Sequence, residues 1–268
     1  DIEGILSVVT DQIDKHLIEM CPKLRVIANV AVGVDNIDLN ACRARSVVVT
    51  NTPDVLTEAT ADLAFGLLLA AARRIPEGDR EIRAGRFAPF SLNYLLGVPV
   101  HGKTLGIVGL GRIGQAMARR ARGFGMQILY TQRKRLSKEL ERALGANYTD
   151  IDTLFRNSDV VSLHCPLTDE TERIASRDRI NSMKPAAILV NTSRGRCVDE
   201  EALMNALAEN RIFAAGLDVF EAEPSIDVRL RTLANTVLTP HIGSANVDAR
   251  NGMASVAVEN VLRVLSGR

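Results

Sequence analysis

Leu105-Gly-Ile-Val-Gly-Leu-Gly-Arg-Ile-Gly114 is the stretch whose reading decides the fold. Leu105, Ile107 and Val108 make the apolar run of a buried strand, and the run stops at Gly109. Gly109, Gly111 and Gly114 then fall in the spacing G-x-G-x-x-G, and Gln115 to Gly123, with Ala116, Met117 and Ala118 inside it, reads as a helix. Strand, glycine turn and helix in that order form a dinucleotide-binding turn. The first glycine allows the tight turn, the second admits a pyrophosphate close to the backbone, and the third lets helix and strand pack closely. The helix N-terminus adds free N–H groups and the positive end of a dipole.

Working outward, further strands are expected at Gln127–Tyr130, Val160–Leu163, Ile188–Asn191, Ala215–Val219 and Val237–Thr239, with helices including Leu136–Leu144 and Asp199–Glu209 between them. These spacings are those of βαβ units with right-handed crossovers. Residues 53–243 are therefore expected to hold a doubly wound parallel sheet of about six strands, the Rossmann arrangement. Upstream, Ile5–Val9, Leu24–Val30 and Val47–Thr50 read as strands alternating with helices at Gln12–Glu19 and Ile37–Arg45. They predict a second, smaller flavodoxin-like α/β domain over residues 1–52. The chain begins at Asp1, almost inside a strand and without Met, so this domain is expected to be N-terminally incomplete. The helix Ser244–Leu265, carrying Val247, Met253, Val256, Val258, Val261 and Leu262, is expected to return to it.

After the breaker Asn51-Thr-Pro-Asp54, a long helix runs from Thr57 to about Ile75, and a charged helical stretch continues to Arg83. The loop from Gly85 to Gly102 then carries Phe87, Phe90, Leu92, Tyr94, Leu95 and Leu96. That much apolar surface on a loop calls for a cover. The expected cover is a second subunit, packing on its own chain being the alternative.

Composition narrows the function classes. A chain of 268 residues, 46% hydrophobic, can bury a sizeable core, and a net charge of +1 gives no electrostatic case for nucleic acid or an anionic membrane. The longest apolar run, Leu63–Ala72, is too short to span a bilayer. Cys21, Cys42, Cys165 and Cys197 lie far apart in no metal-like spacing, which predicts reduced thiols, no metal and a cytoplasmic location.

In the NAD version of this turn, an acid about 20 residues past the first glycine binds the ribose 2′-hydroxyl. Here that place reads Tyr130-Thr-Gln-Arg-Lys-Arg135, with no carboxylate. An arginine fork matches a 2′-phosphate, so NADP(H) is the expected cofactor, with NAD(H) as the lesser possibility and Arg133 and Arg135 as the phosphate partners.

Polar clusters follow strands at Asn191-Thr-Ser-Arg-Gly195, Gly216–Pro224 and Thr239-Pro-His-Ile-Gly-Ser244. An arginine, a carboxylate and a histidine converging at the nicotinamide edge suit reduction of a 2-keto acid. Arg194 can grip the substrate carboxylate, His241 can supply the proton, and Glu223 can hold the imidazole. Spacing alone does not establish the convergence. Taken singly, each residue reads better as something plainer: Arg194 as a surface ion-pair partner, Glu223 as a solvated residue before Pro224, and His241 as a buried structural ring.

Together with Val161–Thr168 and Asn191–Leu203, these motifs resemble the D-isomer-specific 2-hydroxyacid dehydrogenases along essentially the whole chain. Pro53–Asp62 and the basic run after Tyr130 look most like the glyoxylate/hydroxypyruvate reductases among them. The resemblance implies Arg194, Glu223 and His241 as the catalytic set and the backbone amides of Val32 and Gly33 as substrate-carboxylate donors. It also implies a cofactor site lined by Thr60, Leu110, Arg112, Ile113, Pro166, Thr171, Thr192 and Asp218, beside the glycines, with Asp218 at the carboxamide. It makes His164 a cofactor-side neighbour and not the acid, and it implies a homodimer built through the long helix and the 85–102 arm. Phosphoglycerate, D-lactate and phosphite dehydrogenases remain as alternatives of the same fold, and a nucleotide-sensing corepressor as a remote one.

Overall fold

The computed structural model describes residues 1–267. In chain order its elements begin β1 (Gly4–Ser7), α1 (Lys15–Met20), β2 (Val26–Asn29), α2 (Leu39–Ala44), β3 (Val48–Thr50), α3 (Thr57–Ala72) and α4 (Ile75–Arg83). They continue β4 (Thr104–Val108), α5 (Arg112–Gly123), β5 (Gln127–Thr131), α6 (Lys138–Leu144), β6 (Ala146–Tyr148), α7 (Ile151–Asn157) and β7 (Val160–Leu163). The last are α8 (Arg177–Ser182), β8 (Ile188–Asn191), α9 (Glu200–Ala208), β9 (Ala214–Leu217), α10 (Val228–Thr232), β10 (Thr236–Leu238) and α11 (Val247–Leu265). Contacts divide the chain into two compact units: Asp1–Ala59 with the segment from Ser244 onward, and Thr60–Gly243. The division falls inside α3, a little beyond Pro53.

The smaller unit is a three-stranded parallel sheet in the order β1-β2-β3. Ile13, Ile18, Leu24, Ile27, Ile37, Cys42 and Val47 form its core. Its helices start where short acids offer a cap: Asp14 accepts the Leu17 N–H and Asp38 those of Asn40 and Ala41. The helix α11 belongs to this unit. A Cβ on Gly4 would stand 3.1 Å from Val261, so the missing side chain lets helix and sheet approach. The Arg25 guanidinium donates to the last carbonyls of α11, Val264 O and Leu265 O. On α11, Met253, Ala249 and Ala257 form the buried stripe, whereas Val247, Val258 and Leu262 are exposed.

The larger unit is a seven-stranded parallel sheet in the order β6-β5-β4-β7-β8-β9-β10. The order reverses between β4 and β7, which is the switch point of a doubly wound fold. Side chains alternate across it. Leu105, Ile107, Val160, Ile188 and Val190 join the core beneath α3 and α5, while Val108, Val161, Leu163 and Leu189 join the core beneath α7 to α9. Both faces are covered, which is why these strands read as near-continuous apolar runs. The seventh strand, β6, was not expected. It is a short edge strand reached through Gly145, whose φ of +63° ends α6 in the left-handed region.

The long helix ends earlier than its pattern suggests. The helix α3 stops at Ala72, and Arg74, at φ +54°, turns the chain before α4 starts with Pro76 in its first turn. Arg74 is held there by a two-pronged ion pair with Glu77. Beyond α4, Phe87, Phe90 and Leu92 are 83%, 91% and 81% exposed, so this part of the apolar arm is uncovered among the described residues. Among the described residues, no helix is long and apolar enough to cross a membrane.

Candidate active site

Because every strand of the larger sheet is parallel, the turns after β4, β5, β7, β8, β9 and β10 all emerge at one edge. The glycine turn occupies the switch point. Gly109 sits at φ +92°, and a Cβ there would lie 2.8 Å from Cys165 N and 2.9 Å from the His164 carbonyl. Gly114 packs its α-carbon against the Gly109 carbonyl, where a Cβ would come within 2.3 Å. Gly111 differs, because nothing lies within 4 Å of the position a Cβ would take. It caps α5 without a side chain, and the Ile113 N–H makes no hydrogen bond among the described residues. Leu110 beside it is fully buried, and Arg112 is the exposed first residue of α5. Open space in front of a helix N-terminus, behind which no side chain fits, suits the diphosphate of a dinucleotide.

The basic turn after β5 is less uniform than its sequence. Gln132 follows Thr131, the last residue of β5, and its Oε1 accepts the Leu110 N–H at 3.1 Å. Arg135 is committed elsewhere. Its Nε and Nη2 donate to Glu141 at 2.6 and 3.0 Å, and Glu141 also accepts the buried Tyr130 hydroxyl at 2.7 Å. The Arg135 fork and the Tyr130 hydroxyl hold the Glu141 carboxyl down at about 2. Of the two expected phosphate partners, Arg135 is thus shared with Glu141. Among the described residues Arg133 and Lys134 have no side-chain partner, whereas most of the Arg135 fork is spent on a carboxylate that α6 brings in from further along the chain.

Arg194, Glu223 and His241 are brought together. Asn191 at the end of β8 shapes the first turn: its Nδ2 donates to Arg194 O at 2.8 Å, and its Oδ1 accepts the Ser193 N–H and hydroxyl. The next residue, Gly195, nests against the turn after β9, where a Cβ would stand 1.9 Å from the Phe220 carbonyl carbon. That contact keys the arginine turn to the turn bearing Glu223. The Glu223 Oε1 accepts the Phe220 N–H at 2.9 Å, and Oε2 pairs with His241 Nδ1 at 2.8 Å. Burial pushes the Glu223 carboxyl up, but the His241 bond, the Phe220 N–H and the charges of His241 and Arg194 outweigh it and hold it below its usual range. His241 lies in the left-handed region at φ +52°, uncommon for a residue with a side chain. Buried Asp218 enforces it: Asp218 O accepts the His241 N–H, and its carboxylate accepts the Thr239 hydroxyl and the N–H groups of Ile242 and Gly243. With Nδ1 on Glu223, the Nε2 edge of the imidazole has no protein partner among the described residues.

The remaining positions differ in kind. Thr192 Oγ1 is buried with no protein partner, as a hydroxyl kept for a ligand would be. Thr60, buried in α3, lies beside Gly243. Thr171 folds its loop on itself, donating to Pro166 O at 2.5 Å and accepting the Thr168 N–H, so its hydroxyl faces inward to the loop. His164 bonds Ser162 Oγ through Nε2 at 2.8 Å, and burial pushes it down to about 4. It is a neutral ring at ordinary pH and cannot act as the acid. Val32 and Gly33 belong to the smaller unit, in the loop after β2. The sequence reading missed Gln132, Asn191 and Gly195; of these, only the glycine directly after Arg194 carried a visible signal.

A family model described as "D-isomer specific 2-hydroxyacid dehydrogenase, NAD binding domain" matches residues 65–243. Glyoxylate reductase from Thermococcus litoralis is 51% identical over 271 residues, covering 100% of this chain and 82% of that protein. Glyoxylate/hydroxypyruvate reductase B from Shigella boydii is 46% identical, covering 100% of this chain and 83% of that one. Among solved structures, the NADPH-dependent glyoxylate/hydroxypyruvate reductase of Sinorhizobium meliloti, in complex with NADP and malonate, superposes with a TM-score of 0.91 at 37% identity, covering 99% of this chain and 82% of that one.

Proposed function

We propose that this chain, which belongs to the D-isomer-specific 2-hydroxyacid dehydrogenase family, reduces the small 2-keto acids glyoxylate and hydroxypyruvate with NADPH. The products are 2-hydroxy acids, of D configuration where a stereocentre forms. That it is an NAD(P)-dependent oxidoreductase follows from the family. Reduction of a 2-keto acid is carried by one observation, the keyed cluster of Arg194, Glu223 and His241 at the sheet edge that also bears the glycine turn, and the choice of glyoxylate and hydroxypyruvate is supported by the relatives at 46–51% identity.

The bound reduced nicotinamide supplies the hydride. The Arg194 guanidinium pairs with the substrate carboxylate and polarises the keto group. In the smaller unit, the amides of Val32 and Gly33 are the donors proposed for a substrate carboxylate. His241 delivers a proton from Nε2 to the keto oxygen. Glu223, whose carboxyl is held low, fixes the ring through Nδ1 and leaves Nε2 to face the substrate. Thr192, Thr60 and Asp218 would hold the nicotinamide end of the cofactor, Gly109 to Gly114 would receive its diphosphate, and Pro166 and Thr171 would line the same site.

The NADPH preference rests on the lack of a carboxylate in Tyr130–Arg135 and on the cations Arg133 and Lys134 within it; NADH is the poorer donor. The exposed apolar arm supports a homodimer. Steady-state turnover of glyoxylate, hydroxypyruvate and pyruvate under each cofactor tests the reading. The first two with NADPH should give the highest kcat/KM. Faster turnover with NADH, or none with any keto acid, overturns it.

A further inference from the structure

The loop after β2 is held from behind in a way the family resemblance does not supply. Ala31 O accepts the Thr52 N–H at 2.8 Å. Val32 O accepts Asn51 Nδ2 at 2.8 Å, and Gly33 O accepts Asn29 Nδ2 at 2.7 Å. Three successive carbonyls are thus drawn toward the protein. In a trans peptide the carbonyl and the following N–H point in opposite directions. Fixing these carbonyls therefore turns the N–H groups of Val32, Gly33 and Val34 the other way, and none of the three makes a hydrogen bond among the described residues. A run of outward N–H groups is a concavity for an anion.

The clamp is itself braced. Asn29 is buried, with 0% of its surface exposed. Its Oδ1 accepts the Ser7 hydroxyl at 3.0 Å, and its Nδ2 also reaches Asn36 Oδ1 at 2.9 Å. Asn36 in turn donates to Val8 O and Asp11 O. The Asn51 carbonyl accepts from Asn260 on α11 at 3.3 Å. Buried amides with every polar atom engaged define one geometry and resist others.

We propose that Asn51 and Asn29 are positioning residues that aim the Val32, Gly33 and Val34 N–H groups at the substrate carboxylate, making Val34 a third donor. This rests on the reading of that loop as the carboxylate site. Asn51 is the better probe because it is only half-buried. Asn51→Asp keeps the shape but replaces the donor facing Val32 O with an acceptor, and Asn51→Ala removes it.

The expected result is a rise of about tenfold to a hundredfold in KM for glyoxylate and in Kd for the carboxylate inhibitor oxamate, the loss of a hydrogen bond to a charged group. The KM for NADPH and the melting temperature should stay near wild type. A purely structural role would instead lower the melting temperature without separating glyoxylate from NADPH. Gly33→Pro, which deletes an N–H outright, tests the parent reading. If Gly33→Pro weakens oxamate while both Asn51 variants bind it as wild type does, the clamp is refuted and the carboxylate site stands. If Gly33→Pro, folded by its melting temperature and NADPH affinity, binds oxamate normally, both fall.

Discussion

Replacing Gly111 with alanine separates ligand binding from folding more cleanly than any other change in the glycine turn. The residue has φ −76° and ψ −159°, which alanine adopts without strain, and nothing lies within 4 Å of the new methyl. Two small terms act on stability. Reduced freedom of the unfolded chain favours the variant by about 0.4–1 kcal/mol, and alanine is the poorer N-cap by roughly 0.5–1 kcal/mol. They nearly cancel, and at roughly 2–4 °C per kcal/mol for a chain of this size the ligand-free melting temperature should move by less than about 2 °C.

Binding should respond differently. A methyl on the open side forces a phosphate oxygen outward by roughly 1 Å, which takes an amide–phosphate bond beyond hydrogen-bonding distance. One charge-assisted bond is worth about 1.5–3 kcal/mol, so the Kd for NADPH should rise roughly 10- to 150-fold. Thermal shift reads both quantities. At NADPH equal to about 100 times its Kd, the wild type gains about 2.7 kcal/mol, and a variant weakened about fiftyfold gains only about 0.7 kcal/mol. Gly114→Ala is the contrast, since its methyl would meet the Gly109 carbonyl at 2.3 Å and should lower the melting temperature without ligand. Should Gly111→Ala fold normally and bind NADPH within about threefold of wild type, the placement of the diphosphate is wrong.

His241→Gln should lower kcat by roughly a hundredfold to ten-thousandfold with little change in KM, as loss of a general acid does, whereas Arg194→Gln should raise KM and lower kcat together; steady-state kinetics with glyoxylate distinguishes them. Arg133→Ala should raise the KM for NADPH at least about tenfold and leave that for NADH unchanged, while Arg135→Ala should mainly lower the melting temperature by stranding Glu141. The Glu141 carboxyl is depressed in the folded protein from 4.5 to about 2, so its contribution to stability is complete above pH 4.5 and drains away as pH falls toward 2. Over that interval Glu141→Gln should start from a lower melting temperature and lose less of it than wild type. Replacing Phe87, Phe90 and Leu92 together by serine should convert a dimer to monomers, read by light scattering after size exclusion.

What could be read from the chain was local or periodic. The turn at Gly109–Gly114 announces itself because strand, glycines and helix are contiguous, and the strands around it are long apolar runs. The three-residue β6 has no periodicity to read, and its place at the sheet edge follows only from pairing with β5. The break between α3 and α4 hides because both sides are good helix formers; only Pro76 hinted at it. The Arg135–Glu141 pair was invisible as a pair, since a basic run and a helix-forming acid look unrelated until α6 folds back. The carbonyl clamps of Asn29 and Asn51 lie deeper still, because their acceptors are backbone atoms that every residue possesses. The Arg–Glu–His assembly was legible as residue types at strand ends, and its closeness had to come from the parallel sheet.

The seat of Gly195 against Phe220 carries a lesson for anyone reshaping this pocket. With a hydrogen as the only substituent that fits, any side chain at Gly195 must push the strand-end turn bearing Arg194 away from the one bearing Glu223. Altered selectivity is then best sought away from this seat, since a change there disturbs the arginine and the carboxylate together.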